Sequence, residues 1–292
     1  MREITVVIPN WNGKKYLQSC LQALYENTEM EMDVIVVDNG STDGSVEEVK
    51  QIYPEVKYIQ LDQNYGFSKA VNEGIKRAES PYVILLNNDT KVEKGFAEAL
   101  LKAIKSDTEI FSVEAKMLQY QNAQKIDSAG TFYNALGWAY ARGKGCSDVR
   151  FNESCESFAA CAGAAIYRKS VFDEIGLFDE LFFAYLEDID IGYRARLNGY
   201  KNMYEPKARV LHVGSASSGG RHNPFKVKCS ARNNIYLIYK NMSRGQIILK
   251  FPLLFLGFGI KFLYFVAKGF GAEYVSGLKE GFLLCRNTRK RS

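Results

Sequence analysis

Histidine is almost missing from this sequence: 292 residues contain two, His212 and His222. The six cysteines (Cys20, Cys146, Cys155, Cys161, Cys229, Cys285) are scattered, and none forms a CxxC pair. That argues against a four-ligand zinc site and, at this size, against a disulfide framework. There is no internal repeat and no low-complexity segment. The start, MREITVVIPN, is charged and runs straight into an apolar β-branched segment, which is not the pattern of a signal peptide. A cytosolic protein with reduced thiols is expected. Near the C-terminus the longest apolar stretch free of charge is residues 251–260. A bilayer span needs about 20 residues, so a single-pass anchor is disfavoured. Net charge is +5, too weak to argue for nucleic acid.

What is present is a globular composition, 47% hydrophobic and 24% charged, which excludes disorder and collagen-like structure. Aromatics are abundant, with 18 Tyr and 18 Phe. They suit a sugar-facing or membrane-facing surface as well as ordinary packing. Charge is uneven. Residues 240–292 hold ten Lys or Arg against two Asp or Glu, while the rest of the chain is slightly acidic. Such asymmetry suggests a basic segment with a partner of its own.

The first hundred residues alternate short apolar runs (4–8, 34–37, 56–61, 82–86) with stretches at helical spacing (16–25, 46–52, 68–78, 94–104). Continuous apolar strands between amphipathic helices predict a parallel α/β sheet covered on both faces. Ligands bind such sheets beyond the carboxyl ends of the strands. Here those ends read PNWNG, DNGSTDG, DQNYGF and NNDT. Residues 109–163 show weak periodicity and predict irregular strands and loops. Helices resume at 170–175 and 187–197.

The strand ends carry the chemistry. Backbone amides and short polar side chains at Pro9, Asn10, Trp11, Asn12 and at Asp38 could hold a nucleotide, although turn and capping roles explain Ser41 and Asp43 equally well. Asp89, at a strand tip, is placed to give Mg²⁺ or Mn²⁺ one carboxylate, with substrate phosphates supplying others. Five acids lie among aromatics in FDELFFAYLEDID (178–190). Asp190 and Arg194 are four apart and can simply pair on a helix. Glu187 and Asp188 open that helix, and a buried acidic pair is where a general base would sit.

Taken in order, VVIPNWNG, VVDNGSTDGS, NYGFSKAVNEGI, LLNNDT, DSAG (127–130), CAGAAIYRKSVFDEIGLFDELFFAYLEDIDIGYRARLNGYK and RVLHVGSAS resemble a family 2 glycosyltransferase with the GT-A fold. The branch they are most similar to is rhamnosyltransferase-like and builds bacterial cell-surface polysaccharide. The resemblance implies a Rossmann-like, mostly parallel sheet over residues 1–240. It implies that Pro9, Asn10, Trp11, Asn12 and Asn88 line the nucleotide site, that Asp38 reads the base, and that Asn64 and Gly66 close on it. Asp89 then matches the second acid of the metal motif, Asn87 standing where an acid is often found. His212 matches a histidine that assists metal or pyrophosphate, and Asp188 of the Glu187–Asp188 pair matches the catalytic base. The implied reaction is inverting transfer from a nucleoside-diphosphate sugar, dTDP-L-rhamnose or a UDP-hexose, with Mg²⁺ or Mn²⁺ as cofactor. The implied acceptor is a polyprenyl-diphosphate-linked saccharide. The Gly- and Ser-rich loop 214–221 could close over the donor. A sugar nucleotidyltransferase and a non-catalytic sugar-nucleotide binder are the alternatives. The first would show a Gly-rich basic loop after the first strand, and the second would not need Asp188 and Asp89 together.

Residues 241–292 form the second unit. Lys250, Lys261, Lys268 and Lys279 superpose at about 100° per residue, giving one basic stripe on an otherwise apolar helix. Gly257, Gly259, Gly269 and Gly271 weigh against that helix being continuous. An apolar face with basic residues, followed by Arg286, Arg289, Lys290 and Arg291, suits an anionic membrane interface. The expected location is therefore cytoplasmic, peripheral on the inner face of the cell membrane.

Overall fold

The computed structural model describes residues 2–214 and 223–288. The loop beyond Gly214, the SAS end of the last motif, His222, and Arg289, Lys290 and Arg291 lie outside the described residues.

The strands are β1 (Ile4–Asn10), β2 (Met32–Asn39), β3 (Lys57–Leu61), β4 (Tyr82–Leu86), β5 (Thr90–Val92), β6 (Ile110–Gln119), β7 (Asn122–Ser128), β8 (Thr131–Tyr133), β9 (Ala139–Ala141), β10 (Cys155–Ser157), β11 (Ala164–Arg168) and β12 (Lys201–His212). The helices are α1 (Leu17–Asn27), α2 (Ser45–Ile52), α3 (Phe67–Arg77), α4 (Phe96–Lys105), α5 (Val171–Ile175), α6 (Glu187–Leu197), α7 (Pro224–Asn241), α8 (Arg244–Ala267) and α9 (Gly271–Asn287). One sheet runs β10-β12-β6-β11-β4-β1-β2-β3, with β5 on β12 and β7 on β6. Pairs β1–β2, β2–β3, β1–β4 and β6–β12 are parallel, and β11 is antiparallel to both neighbours.

Alternation explains the two layers. Ile4, Val6 and Ile8 of β1 pack with Leu17 and Leu21 of α1 and with Phe96 and Leu100 of α4. Val7 points the other way, onto Val71 and Ile75 of α3 and the α5–α6 side. Each strand residue is thus covered whichever face it meets, which is why these runs carry no polar alternation.

Residues 110–119 depart from the irregular structure expected there. They form the longest strand of the sheet's centre, buried from Ile110 to Leu118. The reason for the misreading is that Ser112, Glu114 and Lys116 break the apolar run, and all three are fully buried. Each is satisfied. Ser112 Oγ bonds Asn202 Oδ1 at 2.7 Å, and Lys116 Nζ donates to the carbonyls of Asp148 (2.5 Å) and Arg150 (2.8 Å) and to Asn152 Oδ1 (2.6 Å). A buried ammonium with three acceptors avoids most of the cost of desolvation.

The tail meets expectation only in part: the chain breaks at Gly269, φ 79°, between α8 and α9, but α8 runs on through Gly257 and Gly259 for 24 residues. Ser243 and Gln246 close a capping box at its start. Its glycine is a contact, not a break: a Cβ on Gly257 would lie 2.2 Å from the Leu136 carbonyl oxygen. Trp138 Nε1 donates to the Gly257 carbonyl at 3.2 Å, and Lys261 Nζ lies 5.6 Å from the Trp138 ring. Of the four lysines of the expected stripe, Lys250 and Lys261 lie on the covered side of α8, whereas Lys268 follows the helix and Lys279 sits on α9, both exposed, so no single stripe forms. Ile247, Lys250, Leu254, Gly257, Phe258 and Lys261 form the covered side, and the opposite side is exposed and apolar, with Ile248 75%, Leu249 81%, Phe255 71% and Leu263 67% accessible. By length and composition α8 could cross a membrane. Helix α9 folds back on α7, its Gly277 against the Lys228 carbonyl and Gly281 against that of Arg232.

Candidate active site

Register brings the strand ends together. Asn10 pairs with Asp38 across β1–β2, and β4 lies on the other side of β1. Asn10, 1% exposed, is the hub. Its Nδ2 lies 3.0 Å from Asp38 Oδ1 and 2.9 Å from Ser45 Oγ, and its Oδ1 accepts from Asn88 Nδ2 at 2.8 Å. Asp38 Oδ2 accepts from the Ser41 amide (3.2 Å). Asn12, with φ 48°, links two loops: its amide donates to Ser41 Oγ and its Oδ1 accepts from the Thr42 amide, both at 2.9 Å. Asn64 Oδ1 accepts from Asn39 Nδ2 and from the Gly66 amide, both at 2.9 Å. Asn10, Asn88 and Asn64 thus spend their side chains on one another and on neighbouring loops, while Trp11 stands 40% exposed at the rim and Pro9 ends the strand. The short polar side chains shape this pocket, leaving its outer edges to a ligand.

A second pole forms where β4 runs into β5. His212 is in register with Thr90 on the β12–β5 pair, which sets its ring beside Asp89. His212 Nε2 lies 3.5 Å from Asp89 Oδ1, and Nδ1 lies 2.8 Å from Asp127 Oδ2. Asp127 also holds Lys144 Nζ at 2.6 Å. Burial by itself would lower the His212 pKa, but the Asp127 and Asp89 carboxylates outweigh it and raise it to about 9. Asp127 is held below the usual carboxylate range: burial opposes this, and the bonds from His212 and Lys144 prevail. A carboxylate fixed on one ring nitrogen orients the other toward a cation, an arrangement seen around metal-bound histidines. Among the described residues no three His, Cys, Asp or Glu side chains converge to hold a metal by themselves. Asp89 and His212 would supply two ligands, and the donor set fits a cation whose remaining positions go to phosphate and water.

The third pole is the loop 182–186 and the start of α6. Phe183, Tyr185 and Leu186 have φ of 62°, 71° and 69°. Three non-glycine residues in the left-handed region cost on the order of 1–3 kcal/mol each. The loop delivers Glu187 and Asp188 to the helix N-terminus. Glu187 is buried, and its Oε2 has no hydrogen-bond partner. Burial pushes both carboxyls up, and the neighbouring Asp188 adds to the rise at Glu187. Asp190 is different in kind. It is fully buried and compensated by Arg194 (2.9 Å), Lys240 (2.8 Å) and Asn241 (2.8 Å), so it builds structure.

Cys161, whose amide donates to Glu114 Oε2 at 3.2 Å, feels charge from two of these poles. Burial raises its thiol well above the ordinary range, and the carboxylates of Asp188, Glu114 and Asp127 raise it further. The loop at Gly66 meets the acidic loop as well. Gly66, at φ 87°, lets the Phe183 carbonyl approach to 2.5 Å of where a Cβ would be, and the Ser68 amide donates to that carbonyl at 3.3 Å.

Three residues escaped sequence reasoning. Asp127 belongs to the DSAG motif, which had no role assigned. Asn39 sat unremarked in DNGST. Glu114 had a faint signal, an acid inside an apolar run; it is fully buried, accepts from Ser128 Oγ and the Cys161 amide, and burial pushes it up to about 7.

Comparison with known proteins agrees with this geometry. The model of "Glycosyl transferase family 2" matches residues 5–176. An N-acetylglucosaminyl-diphospho-decaprenol L-rhamnosyltransferase of Mycobacterium tuberculosis is 29% identical over 239 residues, 74% of this chain and 78% of the relative. A poly-beta-1,6-N-acetyl-D-glucosamine synthase of Staphylococcus epidermidis is 23% identical over 74% of this chain and 51% of its own. Among solved structures, GalNAc-T7 with UDP, GalNAc and Mn²⁺ superposes with TM-score 0.67 at 18% identity, covering 82% of this chain and 48% of that one. The mannosyltransferase PcManGT of Pyrobaculum calidifontis, with GDP-Man and Mn²⁺, gives 0.61 at 12%, covering 96% and 87%. The fold is GT-A, and the chain belongs to glycosyl transferase family 2.

Proposed function

We propose that the protein is an inverting, metal-assisted transferase that moves a sugar from a nucleoside diphosphate to a hydroxyl of a polyprenyl-diphosphate-linked saccharide, in cell-surface polysaccharide synthesis. The observation that carries this is the acidic pair of buried Glu187 and half-buried Asp188 at the start of α6, in a fold whose strand ends also bring together Asp89, His212 and Asp127. A nucleotidyltransferase or a simple binder has no use for a raised-pKa carboxylate as well as a cation site. Asp188 takes the acceptor proton as the hydroxyl attacks the anomeric carbon, and burial makes it a stronger base than an exposed carboxylate. Asp38, Asn10 and the 11–13 and 64–66 loops hold base and ribose. Asp89 and His212 hold the cation, which when bound balances charge on the leaving diphosphate. An imidazole ligand suits Mn²⁺ better than Mg²⁺. Pre-set positions replace water that would otherwise have to reorganise.

The name of the mycobacterial relative supports L-rhamnose, from dTDP-L-rhamnose, as donor sugar and a diphosphate-lipid acceptor; a UDP-hexose is the second candidate donor. The exposed side of α8 supports a peripheral seat on the cytoplasmic membrane face: its apolar side meets lipid, and the exposed Lys268 and Lys279 can reach anionic headgroups. In this arrangement residues 1–240 carry the chemistry and 241–292 carry the membrane contact. Incubation with dTDP- and UDP-sugars and a lipid-linked GlcNAc acceptor tests the proposal. Nucleoside diphosphate release with an inverted glycosidic product is expected. Pyrophosphate production, or tight binding with no turnover, would overturn it.

A further inference from the structure

The three left-handed residues before Glu187 need something to hold them, and α7 carries it. Asn233, fully buried, has its Nδ2 2.9 Å from the Phe182 carbonyl, 2.8 Å from that of Ala184 and 2.7 Å from that of Tyr185. Its amide orientation is fixed, because Asn233 Oδ1 accepts from Arg232 Nε at 2.9 Å. Arg232 Nη2 adds bonds to the Leu181 (3.2 Å) and Phe182 (2.8 Å) carbonyls, and Cys229 Sγ contacts that of Ala184 at 3.2 Å. Carbonyls that would turn to solvent in a relaxed loop are gathered on one amide. A strained backbone persists only where its surroundings over-determine it. The contacts stop at Tyr185, one residue before Leu186 and two before Glu187, so they bear on the direction in which α6 starts.

We infer that Asn233 is a positioning residue for the transfer reaction: by clamping the carbonyls of Phe182, Ala184 and Tyr185 it fixes where the Asp188 carboxylate points. It touches neither donor nor acceptor and acts through the backbone. This rests on Asp188 being the base proposed above. Asn233 lies in a different sequence region from every motif of the site, and nothing in its local pattern marks it.

The test is Asn233→Ala, with Asn233→Ser keeping one donor, in the full-length protein. Hydrogen exchange of peptides covering 182–190 and 4–12 is measured with steady-state transfer and calorimetric titration of the nucleoside diphosphate. Exchange should rise in 182–190 and stay unchanged in 4–12. For Asn233→Ala, kcat should fall at least ten-fold with donor KM within about two-fold and diphosphate binding unchanged. Asn233→Ser should fall between the two. Unchanged exchange in 182–190, or a fall in kcat fully accounted for by an equal fall in the binding stoichiometry of the titration, would overturn the inference. If Asn233→Ala does not fold, Cys229→Ala removes the sulfur contacts to the Phe182 and Ala184 carbonyls and to Arg232 and Asn233, leaves the Asn233 amide in place, and should show the same exchange change, smaller; no change in that variant counts against the clamp. Wild-type protein that binds but never transfers would sink the proposed function, and the exchange result would still decide the clamp.

Discussion

The donor side and the acceptor side of this site are built by opposite means. On the donor side, strand ends in register carry Asn, Asp and Ser side chains that bond one another across loops: Asn10 to Asp38 and Asn88, Asn12 to residues 41–42, Asn64 to Asn39 and Gly66. Only Asn12 among these residues is a non-glycine at positive φ, and asparagine is a residue type that tolerates it. On the acceptor side the backbone is strained at residues 183, 185 and 186, an acid is buried with one oxygen unpaired, and the support comes from a helix some fifty residues later. The difference suits the two tasks. Holding a nucleotide needs complementary polar edges, which a self-consistent network supplies. Removing a proton from a hydroxyl needs a carboxylate in an environment it would not choose, and that requires reinforcement from elsewhere in the fold.

Breaking the acceptor side at its chemistry should give the largest effect. Asp188→Asn is expected to lower transfer by about 10²-fold or more while diphosphate titration is unchanged, the scale of a lost general base. The sign of the pH dependence follows from burial. Asp188 titrates above the ordinary carboxylate range, and only the ionised form accepts a proton. Transfer should therefore decline as pH falls, and at a higher pH than an exposed aspartate would give. A flat kcat from pH 7 to pH 5 would contradict this.

Breaking the donor side at its charge should come next. Asp89→Ala should weaken nucleoside diphosphate binding far more than nucleoside binding, because the lost ligand serves the phosphates. Excess EDTA should abolish transfer. Full activity in the chelator would remove the cation from the mechanism.

A smaller and more selective effect is expected one step back. Asp127→Asn leaves Asp89 and His212 in place but removes the anion that orients and charges the ring. Such changes cost roughly 10–100-fold in metal affinity. Activity should return as Mn²⁺ is raised. A loss that no concentration of metal restores would make Asp127 a structural residue.

The same contrast explains what was legible. Strand–helix alternation and the polar strand ends were local patterns, so the sheet's first half and Asn10, Asp38, Asp89 and Asp188 could be picked out in order. The boundaries of α6 came out as expected because its acids sit at the start and its arginines at the end. Residues 110–119 were misread because Ser112, Glu114 and Lys116 interrupt a strand that buries them beside distant partners. Asp127 and Asn233 gain meaning only through tertiary pairing, with His212 and with the 182–185 carbonyls, and no periodicity encodes that. Of the glycines weighed as breakers, Gly269 does part α8 from α9, while Gly257 is a packing contact whose partner, Leu136, is far off in sequence.

The membrane seat should show the smallest change per substitution, and the structure alters how it is best probed. Cutting near Asn241 would remove α8 and α9 and so uncover α7, the helix that holds the 182–186 loop. Lost activity in such a truncation would then mix two causes. Substituting the outward face of α8 separates them. Leu249 and Phe255 are 81% and 71% exposed and touch little of the protein, so Leu249→Glu and Phe255→Glu should leave the melting temperature unchanged. Burying a large apolar side chain is worth about 1.5–3 kcal/mol, so each change should weaken binding to anionic vesicles by about ten-fold or more. Transfer to a short water-soluble acceptor should be unaffected, while transfer to a lipid-linked acceptor in vesicles falls with vesicle binding. High salt should release wild-type protein only in part, because the apolar contribution does not depend on ionic strength. If instead this face seats a second copy, wild-type protein would be a dimer in sedimentation, the Glu variants monomers, and vesicle binding equally weak in all three. That outcome would move α8 from a lipid contact to a protein contact and leave the chemistry of the sheet untouched.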